Sequence, residues 1–306
     1  MKTSKLLQLK VRCILCVVMV MALIAVLTGC GGTSHSAKKP ATLDYIVKPG
    51  KSDQYIHSHP VGTTVRYDLN GDGVGENISV YTHEYERGKL IIGDDSVDFW
   101  SESPTGYFTI LNVDDSRDGL LVGIADYGPS DDPVTVFYAY DGASIREVGY
   151  LTDIFGQNIY GHSSAACNGD GTVTAGKRWD VLGTWNSVGQ YKISEYGIED
   201  ITEFYPYIDW DGNQGGWDVT TKVNLLMYDP NRSDDAGITV PAGTRMAMTG
   251  LKRGAQFDVF WVLFEVESMG KTLGLTVERV DWYTCVYTGI GFVTSDEAFD
   301  GFFYAG

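Results

Sequence analysis

The residues best spaced for chemistry are Asp68, Asn70, Asp72 and Glu76, which put side-chain oxygens at positions 1, 3, 5 and 9 of one loop. Gly73 stands at position 6, where a sharp turn needs a residue without Cβ, and Val74 offers its backbone carbonyl at position 7. A hard cation with oxygen ligands demands this arrangement, and three carboxylates in so tight a turn would repel one another without one. Position 12 is Ser79, not the bidentate Glu of a helix-flanked loop, and residues 78–83 read as strand. The pattern implies a structural calcium ion of modest affinity beside a strand. The bland alternative is an unmetallated, Asx-rich turn.

Other chemical signals are weaker. Gly161-His162-Ser163-Ser164-Ala165 approximates a nucleophile elbow, but Ala165 replaces the second Gly and no helix is expected after it. Asp114/Asp115 and Asp131/Asp132 are adjacent acids in loops, whereas glycosidase carboxylates face each other across a cleft. His35, His57, His59, His83 and His162 lack the spacing of a metalloprotease, and tryptophans in a β protein more often fill the core than stack on sugars. No catalytic residues are expected.

Those residues need a scaffold, and the composition describes one. The 306 residues are 43% apolar and 21% charged, which places the chain among globular proteins. An aromatic content of 12% and 37 glycines lean toward strands and turns. A formal charge of −17 excludes nucleic acid as a partner, since phosphate binding needs clustered Lys and Arg.

The N-terminus reads as an address. Lys2, Lys5, Lys10 and Arg12 precede an uninterrupted apolar run over residues 13–27, shorter than a membrane crossing of about 20 residues. Leu27-Thr28-Gly29-Cys30 resembles the lipobox of bacterial lipoproteins, in which the Cys is diacylated and becomes the new N-terminus. The resemblance implies a signal peptide over residues 1–29, lipidation at Cys30 and an extracytoplasmic protein anchored to the bacterial cell membrane. Residues 30–43 are small and polar and read as a flexible tether. Cys167 and Cys285 then remain, either paired or apart as small buried hydrophobes.

Residues 44–206 carry short β runs between Gly, Asp and Asn turns: 78–83, 89–92, 107–113, 120–125, 134–140, 145–150, 172–175, 179–185 and 191–195. Asp141-Gly142 and Asp170-Gly171 suit hairpin turns. A Gly- and Asp-rich stretch over residues 207–217 reads as a linker. Residues 218–306 again read as strands, at 219–228, 238–240, 245–248, 257–266 and 273–277. The nearly continuous apolar run at 257–266 suits a strand buried on both faces.

Asp68 to Glu76 followed by Ile78-Ser79-Val80 resembles an FG-GAP/VCBS repeat, the blade of integrin-type β-propellers. Residues 111–118 and 128–142 are similar to the following repeat as it occurs in surface lipoproteins. The second loop departs from the pattern: Asn112 replaces the first Asp, ahead of Asp114 and Asp118, and Gly119-Leu120-Leu121 stands where an acid should end it. The span is short for a closed propeller at about 40–45 residues per blade. Residues 238–248 and 261–266 resemble the opening hairpin and central strand of a bacterial Src-homology-3-like barrel, while residues 270–275 lack its usual Gly-Trp pair. Together the resemblances imply an all-β chain, with a partial propeller-like or sandwich-like domain over 44–206 and a small barrel over 218–306. They imply a lipid-anchored, calcium-stabilised binding or adhesion module without catalytic activity, with a cell-wall, glycan or protein ligand. The alternatives are a catalytic or accessory subunit of a cell-envelope or glycan hydrolase, and a structural spacer.

Overall fold

Alternating apolar residues between glycine turns build the strands that the sequence implies, and more besides. The computed structural model describes residues 55–128, 132–155, 165–209, 212–231, 236–254, 258–280 and 283–304. The signal, Cys30, the tether, Asp131, residues 161–164, Trp210 and Trp282 lie outside them. After β1 (Ile56–Pro60), the strands β2 (Thr64–Tyr67), β3 (Glu76–Tyr81), β4 (Glu86–Ile92) and β5 (Asp95–Ser101) form a four-stranded antiparallel meander. A second meander follows in β6 (Pro104–Leu111), β7 (Leu121–Asp126), β8 (Val134–Tyr140) and β9 (Ile145–Leu151), with β1 added on the outer side of β6. The third is β10 (Ala166–Cys167), β11 (Thr172–Asp180), β12 (Thr184–Ser194) and β13 (Gly197–Asp200).

The three meanders stack because successive side chains of the middle sheet point to opposite faces. Phe108, Ile110, Val122, Ile124 and Tyr138 pack with Val65, Ile78 and Leu90 of the first sheet. Leu111, Leu121, Phe137 and Ala139 pack with Val173, Tyr191 and Ile193 of the third. Covered on both sides, β7 is buried from Leu121 to Ala125, which explains its continuous apolar run.

Beyond β14 (Tyr205–Pro206) come β15 (Trp217–Thr221), β16 (Leu225–Met227), β17 (Ile238–Val240), β18 (Arg245–Arg253), β19 (Val259–Val266), β20 (Lys271–Val280), β21 (Tyr283–Tyr287), β22 (Phe292–Thr294), a short helix α1 (Ser295–Ala298) and β23 (Phe299–Asp300). An eight-stranded sheet runs β22-β21-β20-β19-β18-β15-β23, with β14 also on β18, and curls into a half-barrel. A bulge in β18 between Met248 and Gly250 admits β14: a Cβ at Gly250, whose φ is 150°, would strike the Tyr205 carbonyl. Among the described residues no helix is long and apolar enough to cross a membrane.

Two readings change. Residues 179–185, read as one strand, are the ends of β11 and β12 and the turn between them, with Leu182 at φ 63°. The turn is apolar because Val181 and Leu182 are fully buried in the C-terminal core cluster, so burial and not pleating selected those side chains. Residues 219–228, also read as one strand, divide into β15 and β16 in different sheets. The stretch 207–217 is hydrogen-bonded to both sides: Tyr207 N donates to the Thr249 carbonyl and Ile208 N to that of Asn186.

His59 carries a pH prediction. Its Nε2 lies 2.8 Å from the Tyr67 hydroxyl, with the rings of Tyr67 and Phe108 each 5.5 Å away. Burial first, and His57 second, lower its pKa to about 4. The unfolded chain therefore binds the proton more readily, so this contribution is fully present above about pH 6.5 and lost as pH falls toward 4. Discounted for partial exposure, the loss is roughly 1 kcal/mol. His59→Gln should flatten the fall in melting temperature between pH 6.5 and 4; an unchanged profile would exonerate His59.

Candidate functional site

The acidic loop following β2 folds back on itself. Asp68, nearly buried, accepts 2.8 Å bonds from Gly71 N at Oδ1 and Gly73 N at Oδ2. Asn70 Oδ1 accepts from Asp72 N at 3.1 Å, Asp72 Oδ1 from Val74 N at 2.7 Å, and Glu76 Oε2 from Leu69 N at 2.8 Å. The Asn70 and Asp72 bonds are Asx turns, in which a short side chain replaces a backbone acceptor, while Asp68 and Glu76 close the loop over longer spans. Burial, offset by the Leu69 amide and reinforced by Asp68 and Asp72, raises the Glu76 pKa. The side-chain oxygens of Asp68, Asn70, Asp72 and Glu76 thus turn onto the loop's own amides.

Among the described residues no group of three or more His, Cys, Asp or Glu side chains is placed to hold a metal ion. The loop's oxygen set extends past those residue types, to the Asn70 amide and the Val74 carbonyl. The chemistry of that donor set, all oxygen and rich in carboxylate, fits calcium.

The same position in the next meander, between β6 and β7, carries Asn112, Asp114 and Asp118. Asp114 Oδ1 accepts from Ser116 N at 2.9 Å, repeating the Asx turn, but its Oδ2 lies 3.2 Å from Arg117 Nε. The Ser116 hydroxyl first, then burial against the Ser116 amide and Arg117, set its pKa, and the net effect is a lowering. A guanidinium so placed already neutralises Asp114. Asn112 Oδ1 is buried without a hydrogen-bond partner among the described residues, while its amide nitrogen donates to Asp115 at 2.7 Å.

A third loop was read from the sequence only as a hairpin turn at Asp170-Gly171. Asn168-Gly169-Asp170-Gly171, between β10 and β11, repeats Asn70-Gly71-Asp72-Gly73 letter for letter. Asp170 Oδ1 accepts from Thr172 N at 3.0 Å, as Asp72 does from Val74. Ala166 and Thr174 stand where the first loop has Asp68 and Glu76, so this copy keeps the turn and lacks the outer carboxylates. The identical tetrads were the available signal.

The loops lie against one another. Gly71, at φ 78°, abuts Asp118, where a Cβ would collide. Asp114 and Asp170 form a β-bridge, and Asp115 N donates to the Gly169 carbonyl at 2.8 Å. Beside the first two loops opens a recess of about 690 Å³, completed by the β8–β9 turn at Asp141 and the β12–β13 turn at Tyr196. Its floor includes Leu69, Leu120 and Ile193, and its walls carry Asp118, Asp141 and Glu195. Arg117 bridges to Glu195 at 3.0 Å, and Arg146 lies over the exposed Tyr196 ring at 5.9 Å.

The remaining candidates disperse. Asp115 accepts from Asn112 and from the Tyr55 hydroxyl. Cys167 and Cys285 are free thiols in different sheets, and burial pushes Cys167 up to about 12. Trp179 and Trp185 are core residues, whereas Trp100 is two-thirds exposed on the edge strand β5. Compared with known protein families, curated proteins and solved structures, the chain matches none.

Proposed function

We propose that this chain is a lipid-anchored, calcium-stabilised, extracytoplasmic binding or adhesion module without catalytic activity. Cys30 carries the anchor, and Asp68, Asn70, Asp72, the Val74 carbonyl and Glu76 hold the ion. The observation that carries the reading is the acidic loop, folded inward on five short bonds and contributing Leu69 and Asn70 to the wall of the large recess. The ion steadies that wall, and the recess takes a cell-wall, glycan or protein ligand. The resemblance to FG-GAP/VCBS blades supports this, as do three stacked four-stranded meanders with an Asx turn at the same place in each.

The test is a thermal melt with calcium and with chelator. For a site of Kd ~10⁻⁴ M, 1 mM calcium stabilises by about 1.4 kcal/mol, a rise of roughly 3–5 °C for a unit of this size. Identical melts in calcium and in chelator would remove the ion from the proposal.

A further inference from the structure

We infer that a small pocket between the third meander and the C-terminal sheet binds a quaternary ammonium group. The pocket has a volume of about 100 Å³ and is lined by Thr184, Trp185, Tyr207, Ile208, Trp217 and Phe303. Its four aromatic rings form a continuous series. Trp185 and Tyr207 have centroids 6.0 Å apart, Tyr207 and Trp217 5.9 Å, and Trp217 and Phe303 4.9 Å.

Three features define the ligand. The first is size: an apolar cavity of about 150 Å³ holds a benzene ring, so this one suits a slightly smaller head group such as trimethylammonium. The second is that both indole N–H groups of the lining and its threonine are already engaged. Trp185 Nε1 donates to the Val181 carbonyl and Trp217 Nε1 to that of Gly301, each at 3.0 Å. The Thr184 hydroxyl donates to Asp180 at 2.7 Å and its N–H to the Phe303 carbonyl at 2.9 Å. A sugar or a primary ammonium entering here would leave most of its hydrogen-bonding groups unpaired, which is costly. A quaternary ammonium has no N–H to satisfy.

The third feature is charge. Aromatic faces attract cations through the ring quadrupole, and Asp209, next in the chain after Ile208, is close enough to Tyr207 to add to the effect of burial in raising its hydroxyl pKa. A chain of net charge −17 draws cations toward it from a distance. Neutral apolar groups gain none of this, so the pocket distinguishes choline from its uncharged carbon isostere.

The experiment titrates the purified protein with choline chloride, following tryptophan fluorescence against a sodium chloride control of equal ionic strength. Saturable binding in the millimolar range is expected. 3,3-Dimethylbutan-1-ol, the neutral isostere, should bind at least about tenfold more weakly. Phe303→Ala, at a half-exposed position, should weaken choline at least about fivefold; Phe303→Leu, which removes the π face and keeps bulk, serves if the alanine variant does not fold. Chelator should leave choline binding unchanged, since the pocket shares no residue with the loop at 68–76, so this inference and the calcium reading fail separately. Equal affinity for the isostere, no saturation up to about 50 mM, or a Phe303 variant indistinguishable from the parent would overturn the assignment.

Discussion

Replacing Trp185 with alanine is expected to destabilise the protein by about 3–5 kcal/mol, the largest effect of any single substitution considered. The side chain is 1% exposed. Its indole N–H reaches the Val181 carbonyl, and its ring stacks on Trp179 at 6.4 Å and meets Tyr207 at 6.0 Å. Truncation therefore opens a cavity and orphans a buried carbonyl. The position also matters. Trp185 belongs by sequence to β12 of the third meander, yet its cluster contains Val219, Met248, Phe260 and Val262 of the C-terminal sheet. Removing it weakens the attachment between the two parts as well as the core. Urea denaturation should show a lowered midpoint and a broadened or divided transition when far-ultraviolet circular dichroism and tryptophan fluorescence are compared. A loss under about 1.5 kcal/mol with one sharp transition would mean that the two parts are joined elsewhere.

Asp68→Ala should rank second. Asp68 is 9% exposed, and each of its carboxylate oxygens accepts a backbone N–H at 2.8 Å. Alanine leaves both amides of a tight turn without that acceptor, at about 2–3 kcal/mol even in chelator. With the first anionic ligand gone, the stabilisation by millimolar calcium should vanish as well, adding about 1.4 kcal/mol to the difference between parent and variant. Asp68→Asn separates the two effects: one acceptor and the shape survive, so most of the chelator stability should persist while the calcium shift shrinks. A variant that melts with the parent in chelator would contradict the capping role. One that loses stability but keeps the calcium shift would contradict the ligand role.

The loop was legible because its bonds close within nine residues: Asp68 to Gly73, Asn70 to Asp72, Asp72 to Val74 and Leu69 to Glu76. Side-chain type and spacing determine such contacts locally. The β character was legible for a similar reason, since residues 107–113 and 134–140 carry the branched and aromatic side chains that a pleated surface packs. The strands that escaped notice were β1, β2, β5, β10, β13, β14, β21, β22 and β23. In β1, Ile-His-Ser-His-Pro has little strand signature and is held by backbone pairing to β6, far along the chain.

By itself, then, the sequence determined an acidic, strand-rich chain and, within one short segment, an Asp- and Asn-rich turn. Tertiary structure alone decided the rest: which faces of the middle sheet meet which neighbours, that Val181 and Leu182 form a buried turn, and that Trp185, Tyr207, Trp217 and Phe303 surround one pocket. Those outcomes depend on residues from tens to more than a hundred positions apart sharing a surface. Hydrophobic contact is non-directional, so a linear pattern shows that an apolar side chain will be covered but not what will cover it.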